Sequence, residues 1–121
     1  MTPLGAKLRQ LREQRGVSLK DMAKALNVSS AYLSALEHGH RGRPTFTLLQ
    51  RMIAYFNVIW DEAEELQRLA ELSDPKITID TGGMSPEATE LANRLAADIG
   101  RLGAEDLAFL KTEVMKRAGR R

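Results

Sequence analysis

Apolar residues recur at three- and four-residue steps along most of the chain, the period of helices with one buried face. Leu4, Leu8 and Leu11 form the first stripe. Thr2-Pro3 opens it, a capping residue followed by the proline that suits a first helical turn, and Gly16 closes it. Leu19, Met22, Ala23 and Leu26 repeat the pattern behind Ser18, with Asn27 where a left-handed turn residue belongs. Ser29 caps a third helix over residues 30–37, with Leu33 and Leu36 inward and Gly39 at its end. Thr45 opens a fourth, whose apolar residues are Leu48, Leu49, Met52, Ile53 and Phe56. A fifth is expected over residues 59–72, with Ile59, Ala63, Leu66 and Leu69/Ala70 on one side and Trp60 assigned to its core.

Residues 73–84 break the periodicity. Pro75 and Gly82-Gly83 predict a linker, and Ile77-Thr78-Ile79 supports at most a short extended piece. Ser85-Pro86 repeats the cap-plus-proline opening and starts a helix to about residue 99, with Ala88, Leu91, Ala92, Leu95 and Ile99 apolar. Gly100 and Gly103 bracket a turn, and a last helix over residues 104–117 carries Leu107, Leu110 and Val114 inward. The expected fold is all-α. Its domains are five helices over residues 1–72, a linker at 73–84 and a helical hairpin at 85–118.

Charge divides the chain where the pattern does. Residues 1–57 hold nine Lys/Arg against three Asp/Glu, a net of +6, and the remainder holds nine against thirteen, a net of −4. A basic half points to a polyanionic partner, although two solvated surfaces of opposite sign would give the same count. With 121 residues there is room for one domain and an appendage. There is no cysteine, which removes disulfides, thiol catalysis and Cys-ligated zinc. The two histidines, His38 and His40, have no third metal ligand nearby in sequence, so no metal and no cofactor is expected. No apolar leader or membrane-length run is present, and a cytoplasmic protein is expected. No nucleophile–base spacing and no Gly-rich phosphate loop supports an enzyme.

The second and third helices carry the functional signal. Two short helices joined by the three-residue turn Asn27-Val28-Ser29, with small Ala23 where they cross, have the anatomy of a helix-turn-helix, whose second helix enters the major groove of DNA. Around it stand R-x-x-R (Arg9, Arg12), R-G-V-S (residues 15–18), S-x-x-Y-L-S-x-L-E-x-G (residues 29–39), R-x-R-P-T (residues 41–45) and L-x-x-M-I-A-x-F-x-V (residues 49–58). This set resembles the Xre/Cro/C1 family of bacterial and phage regulators over roughly residues 4–58.

The resemblance implies a lambda-repressor-like DNA-binding domain with residues 30–37 as recognition helix. It places Ser30, Ala31, Tyr32 and Ser34 at base edges, with Tyr32 equally suited to bracing the helix. Ser18, Lys20, Ser29, His40, Arg41 and Arg43 fall on the DNA backbone. Arg12 and Glu37 fall on positions that pair as a partly buried bridge. One departure matters. Leu19 stands where a Gln often opens the second helix, and the recognition helix has no Gln, Asn or Arg before Glu37, so bidentate base pairing is not available from it.

The second half suggests assembly. Ala88, Ala92, Leu95, Ile99 and Leu102 step by four and three, the spacing of a helix–helix seam, and Leu107, Leu110 and Val114 offer a facing stripe. The expected protein is a transcriptional regulator, most simply a repressor, that binds a palindromic operator in double-stranded DNA as a homodimer. Two other readings stay open: an antitoxin-type DNA-binding protein whose C-terminal half holds a toxin, and a protein-interaction adaptor that keeps the helix-turn-helix as scaffold.

Overall fold

Five side-chain caps set the helix starts in the computed structural model, which describes residues 1–120. Thr2, Ser18, Ser29, Thr45 and Ser85 each accept a hydrogen bond from the backbone N–H three residues on, at 2.9–3.3 Å. Each satisfies a donor that a helix start otherwise leaves without a partner. The helices are α1 (Pro3–Arg15), α2 (Leu19–Leu26), α3 (Ser30–His38), α4 (Phe46–Phe56), α5 (Trp60–Glu71), α6 (Pro86–Asp98) and α7 (Ala104–Arg117), with a 3₁₀ turn at Ile99–Arg101. Gly16, Asn27, Gly39 and Asn57 end α1 to α4 in the left-handed conformation, at φ between 53° and 82°. No strand occurs among the described residues, and Ile77-Thr78-Ile79 is irregular. The fold is all-α.

The chain divides into two units, Met1–Ile77 and Thr78–Arg121. In the first, α1 packs on α3 and α5, α2 on α3 and α4, and α4 on α5. Leu4, Leu8, Leu11, Met22, Leu33, Met52, Phe56 and Leu66 meet in one core. Ala23 is buried where α2 crosses α3.

α1 and α3 cross closely at Gly5. A Cβ on Gly5 would sit 2.7 Å from the Glu37 Cα and closer still to the Glu37 carbonyl oxygen. Backbone cannot yield as a side-chain tip can, so only glycine fits. Gly5→Ala should therefore lose about 1–3 kcal/mol of stability, despite the better helix propensity of alanine. A urea midpoint equal to or above wild type would show that the helices can move apart.

Three sequence expectations change in the first unit. Trp60 is 81% exposed rather than part of the α5 core, and Ile59 is exposed beside it. Ile59 is extended at the N-cap position and Trp60 has φ +52°, so neither shares the helical phase that carries Ala63, Leu66 and Ala70 inward. Ser73, assigned by sequence to the linker, is buried, and its hydroxyl accepts from the Leu4 N–H at 2.9 Å. Asp74 follows it onto the domain, accepting from the Arg43 N–H at 3.1 Å. The segment after α5 thus closes the first turn of α1 and the loop before α4.

In the second unit, α6 and the 3₁₀ turn pack together, yet neither α6 nor α7 contains a buried residue. The expected hairpin encloses no core of its own. Ile99, Leu107, Leu110 and Val114 are exposed, while Ala88, Ala92, Leu95 and Leu102 are half-buried. Leu91 and Phe109 add 59% and 64% exposed apolar surface to these helices.

Candidate nucleic-acid interface

The helix-turn-helix rests on a buried ion pair. Arg12 donates from Nε and Nη2 to the two oxygens of Glu37, both at 3.1 Å, and Arg9 Nε lies 3.9 Å from the same carboxylate. The Glu37 side chain is 1% exposed and that of Arg12 12%. Such a two-pronged bond fixes orientation as well as charge, and it clamps the C-terminal turn of α3 to α1. His38, next along, points its Nδ1 at the Ser34 carbonyl, 2.8 Å away.

With that end anchored, the N-terminal turn of α3 is the free one. Ser29, Ser30 and Ala31 are exposed, and Tyr32, Ser34 and Ala35 are half-buried. Ser30, Ala31, Ser34 and Ala35 share the outward side of α3, opposite Leu33 and Leu36, whereas the Tyr32 ring packs against the core. Ser18 and Lys20 are exposed at the start of α2, and His40, Arg41 and Arg43 are exposed in the loop after α3.

An open groove of about 420 Å³ lies against this surface, lined by Val28, Ser29, Tyr32, Thr45, Thr47, Leu48 and Arg51. Both Ser29 and Thr45 are helix caps, so the N-termini of α3 and α4 reach the same groove. The partial positive charge of a helix start favours anions there. Arg51, which donates to the Leu26 carbonyl at 3.4 Å, brings a full charge to its wall. Sequence reasoning missed Thr45, Thr47 and Arg51 as surface of this kind. Thr45 was legible only as a helix cap, and Thr47 and Arg51 only as positions on α4, because the approach of α4 to the turn is a tertiary fact.

Charge is sorted across the first unit. Lys7 pairs with Glu65, Arg9 and Arg12 with Glu37, Arg43 with Asp74 and Arg68 with Glu64. Arg15 donates to the Phe56 carbonyl and lies over its ring, 5.8 Å from the centroid. Among the described residues of the first unit, Arg15, Lys20, Lys24, Arg41, Arg51 and Lys76 have no carboxylate partner, and four of these six belong to α2, the loop after α3, or α4. Most of the cations left without a carboxylate in this unit therefore lie at the helix-turn-helix and the helix beside it. Arg43 is the exception within that loop, since Asp74 Oδ2 lies 3.5 Å from its Nε.

Comparison with known proteins agrees with this geometry. A family described as "Helix-turn-helix domain" matches residues 3–66. The chain is 42% identical over 52 residues to the HTH-type transcriptional regulator DdrOP3 of Deinococcus deserti, covering 43% of this chain and 40% of that protein. It is 28% identical over 68 residues to the HTH-type transcriptional regulator SinR of Bacillus subtilis, covering 53% and 61%. The chain therefore matches less than two thirds of the length of either relative. No solved structure gives a significant match.

Proposed function

The chain belongs to the helix-turn-helix domain family, and from that premise we propose that it is a transcriptional regulator that binds operator DNA as a homodimer. The relatives named above are transcriptional regulators, and the chemistry of the exposed surface fits the same task. The observation that carries the reading is the sorting of charge. Four of the six first-unit cations without a carboxylate partner, Lys20, Lys24, Arg41 and Arg51, are exposed on α2, the loop after α3 or α4, where they are free for phosphate.

In this reading the N-terminal turn of α3 enters the major groove. Ser30, Ala31 and Ser34 face base edges. Ser18 and Ser29 present capped helix N-termini to phosphates, joined by Lys20, His40 and Arg43, and by Thr47 and Arg51 across the groove. Arg43 contributes less than its formal charge, because Asp74 already screens it. The Arg12–Glu37 pair holds the recognition helix in place without touching DNA. No helix of the described residues is long and apolar enough to cross a membrane.

The second unit supplies the dimer. Two helices without a buried residue cannot be stabilised by each other alone, and a second copy of the same stripes removes that apolar surface from water. Repression by blocking polymerase is the simplest outcome of such a dimer on a palindrome.

Binding measured against salt tests the reading. The logarithm of the association constant should fall linearly with the logarithm of salt, with a slope of about −0.9 per phosphate neutralised. Lys20→Ala and Arg51→Ala should each weaken all sequences alike and make the slope shallower by about 1 per subunit. A flat salt response with binding retained would remove the phosphate surface from the proposal. No DNA binding at low salt would leave the adaptor reading.

A further inference from the structure

The recognition helix has short side chains where operator readers usually have long ones. Ser30 and Ala31 are exposed on its first turn, and Ser34 and Ala35 continue that side half-buried. A serine hydroxyl donates to or accepts from any base, and alanine touches only a thymine methyl. Neither separates guanine from adenine. A planar fork of parallel N–H donors does so, by bonding the O6 and N7 of guanine together.

Between residues 18 and 51 the chain has three such forks, those of Arg41, Arg43 and Arg51. Arg43 is held by Asp74 through both its backbone N–H and its Nε. Arg51 donates to the Leu26 carbonyl at the end of α2. Arg41 is exposed and has no carboxylate partner among the described residues. Its guanidinium carbon lies 5.6 Å from the centre of the Tyr32 ring. Tyr32 is the third residue of α3, so the side chain of Arg41 returns from the loop after the helix to the side chain of its first turn. Stacking on an aromatic face restrains a guanidinium without consuming its N–H donors. The fork is thus oriented and still free to bond.

We propose that Arg41, positioned by stacking on Tyr32, reads a guanine in the operator, so that preference at one base pair per half-site comes from the loop after the recognition helix. The proposal rests on the operator-binding reading above and deepens it. It gives Arg41 a different task from the backbone contact expected from sequence. Tyr32 acts as a positioning residue, and its ring rather than its hydroxyl is what matters.

Binding-site selection from random duplexes, using the full chain, tests it. Arg41→Lys keeps the charge and removes the fork, Tyr32→Leu removes the ring, and Tyr32→Phe keeps the ring. Wild type should select a motif with guanine at one column of each half-site. Arg41→Lys should lower preference in that column by about tenfold, the low end of what one bidentate contact contributes. Tyr32→Leu should weaken the same column and Tyr32→Phe should restore it, with thermal melting run on each variant. If Tyr32→Leu fails to fold, the Phe and Lys variants still decide the matter. An Arg41→Lys motif identical to wild type, with all sequences weakened evenly, makes Arg41 a phosphate contact and overturns the proposal. A Tyr32→Leu variant that folds and keeps the column removes the positioning role. Wild type selecting no motif at all overturns the operator reading itself, an outcome distinct from the other two.

Discussion

Glu37→Ala should lower the free energy of unfolding by about 3–5 kcal/mol, the range for breaking a buried ion pair from one side. The loss is large because of what is left behind. Arg12 keeps its charge at 12% side-chain exposure with neither of its two 3.1 Å bonds, and water reaches it poorly. A domain of this size has about 5–15 kcal/mol in total, so a considerable fraction of molecules would unfold on modest warming. DNA binding should fall as a consequence of unfolding and recover on cooling. Urea titration followed by circular dichroism is the suitable measurement, because the single tryptophan, Trp60, is 81% exposed when folded and reports little. Arg12→Leu combined with Glu37→Leu should cost less than Glu37→Ala alone, since replacing both charges strands neither. A Glu37→Ala protein with wild-type stability and weakened operator binding would instead put Glu37 at the DNA surface.

What the sequence disclosed and what it withheld divide along a physical line. Helix starts and stops were legible because their causes are local. A Ser or Thr bonds an N–H three residues on, and a Gly or Asn takes the left-handed turn at the end. Stripes of leucine were legible because burial on one face imposes a period. Gly5 carried no such signal, since the need for a missing Cβ comes from the Glu37 backbone, which is 32 residues away in the chain. Ser73 and Asp74 look like linker in composition, yet their partners are Leu4 and Arg43, far earlier in the sequence. The period places Ile59 on the core face of α5 and Trp60 reads as core beside it, but an extended residue followed by a left-handed one at the helix entrance does not obey the period.

The interface shows the same division. Ser18, Ser29 and the loop arginines were named from motif positions, while Arg51 and Thr47 enter only when α4 is folded against the turn. Net charge was countable from the sequence, but its sorting was not. Whether an arginine is free depends on which carboxylate reaches it, as Asp74 reaches Arg43 and none reaches Arg41.

Deleting everything after Ile77 should leave a folded, mostly monomeric domain whose affinity for a palindromic operator is about 10²–10⁴-fold weaker. The fold should survive because the first unit ends there and retains Ser73 and Asp74, the partners of Leu4 and Arg43. The affinity should fall because a tethered second subunit meets its half-site at high effective concentration, and a free monomer does not. Leu95→Glu should have the same effect in the full chain. Leu95 is half-buried on α6 between Ala92 and Ile99, so a carboxylate there would have to be desolvated at the helix contact without a partner. Truncation removes mass and charge as well as the seam, whereas Leu95→Glu changes one side chain, and agreement between them isolates the interface. Sedimentation at micromolar concentration, paired with binding to a full and a half operator, measures both consequences. The truncated domain and wild type should bind the half operator alike and differ on the full one. A truncated protein that still sediments as a dimer would put the self-association surface within residues 1–77. The exposed stripes of α6 and α7 would then belong to a different protein, as the antitoxin reading requires.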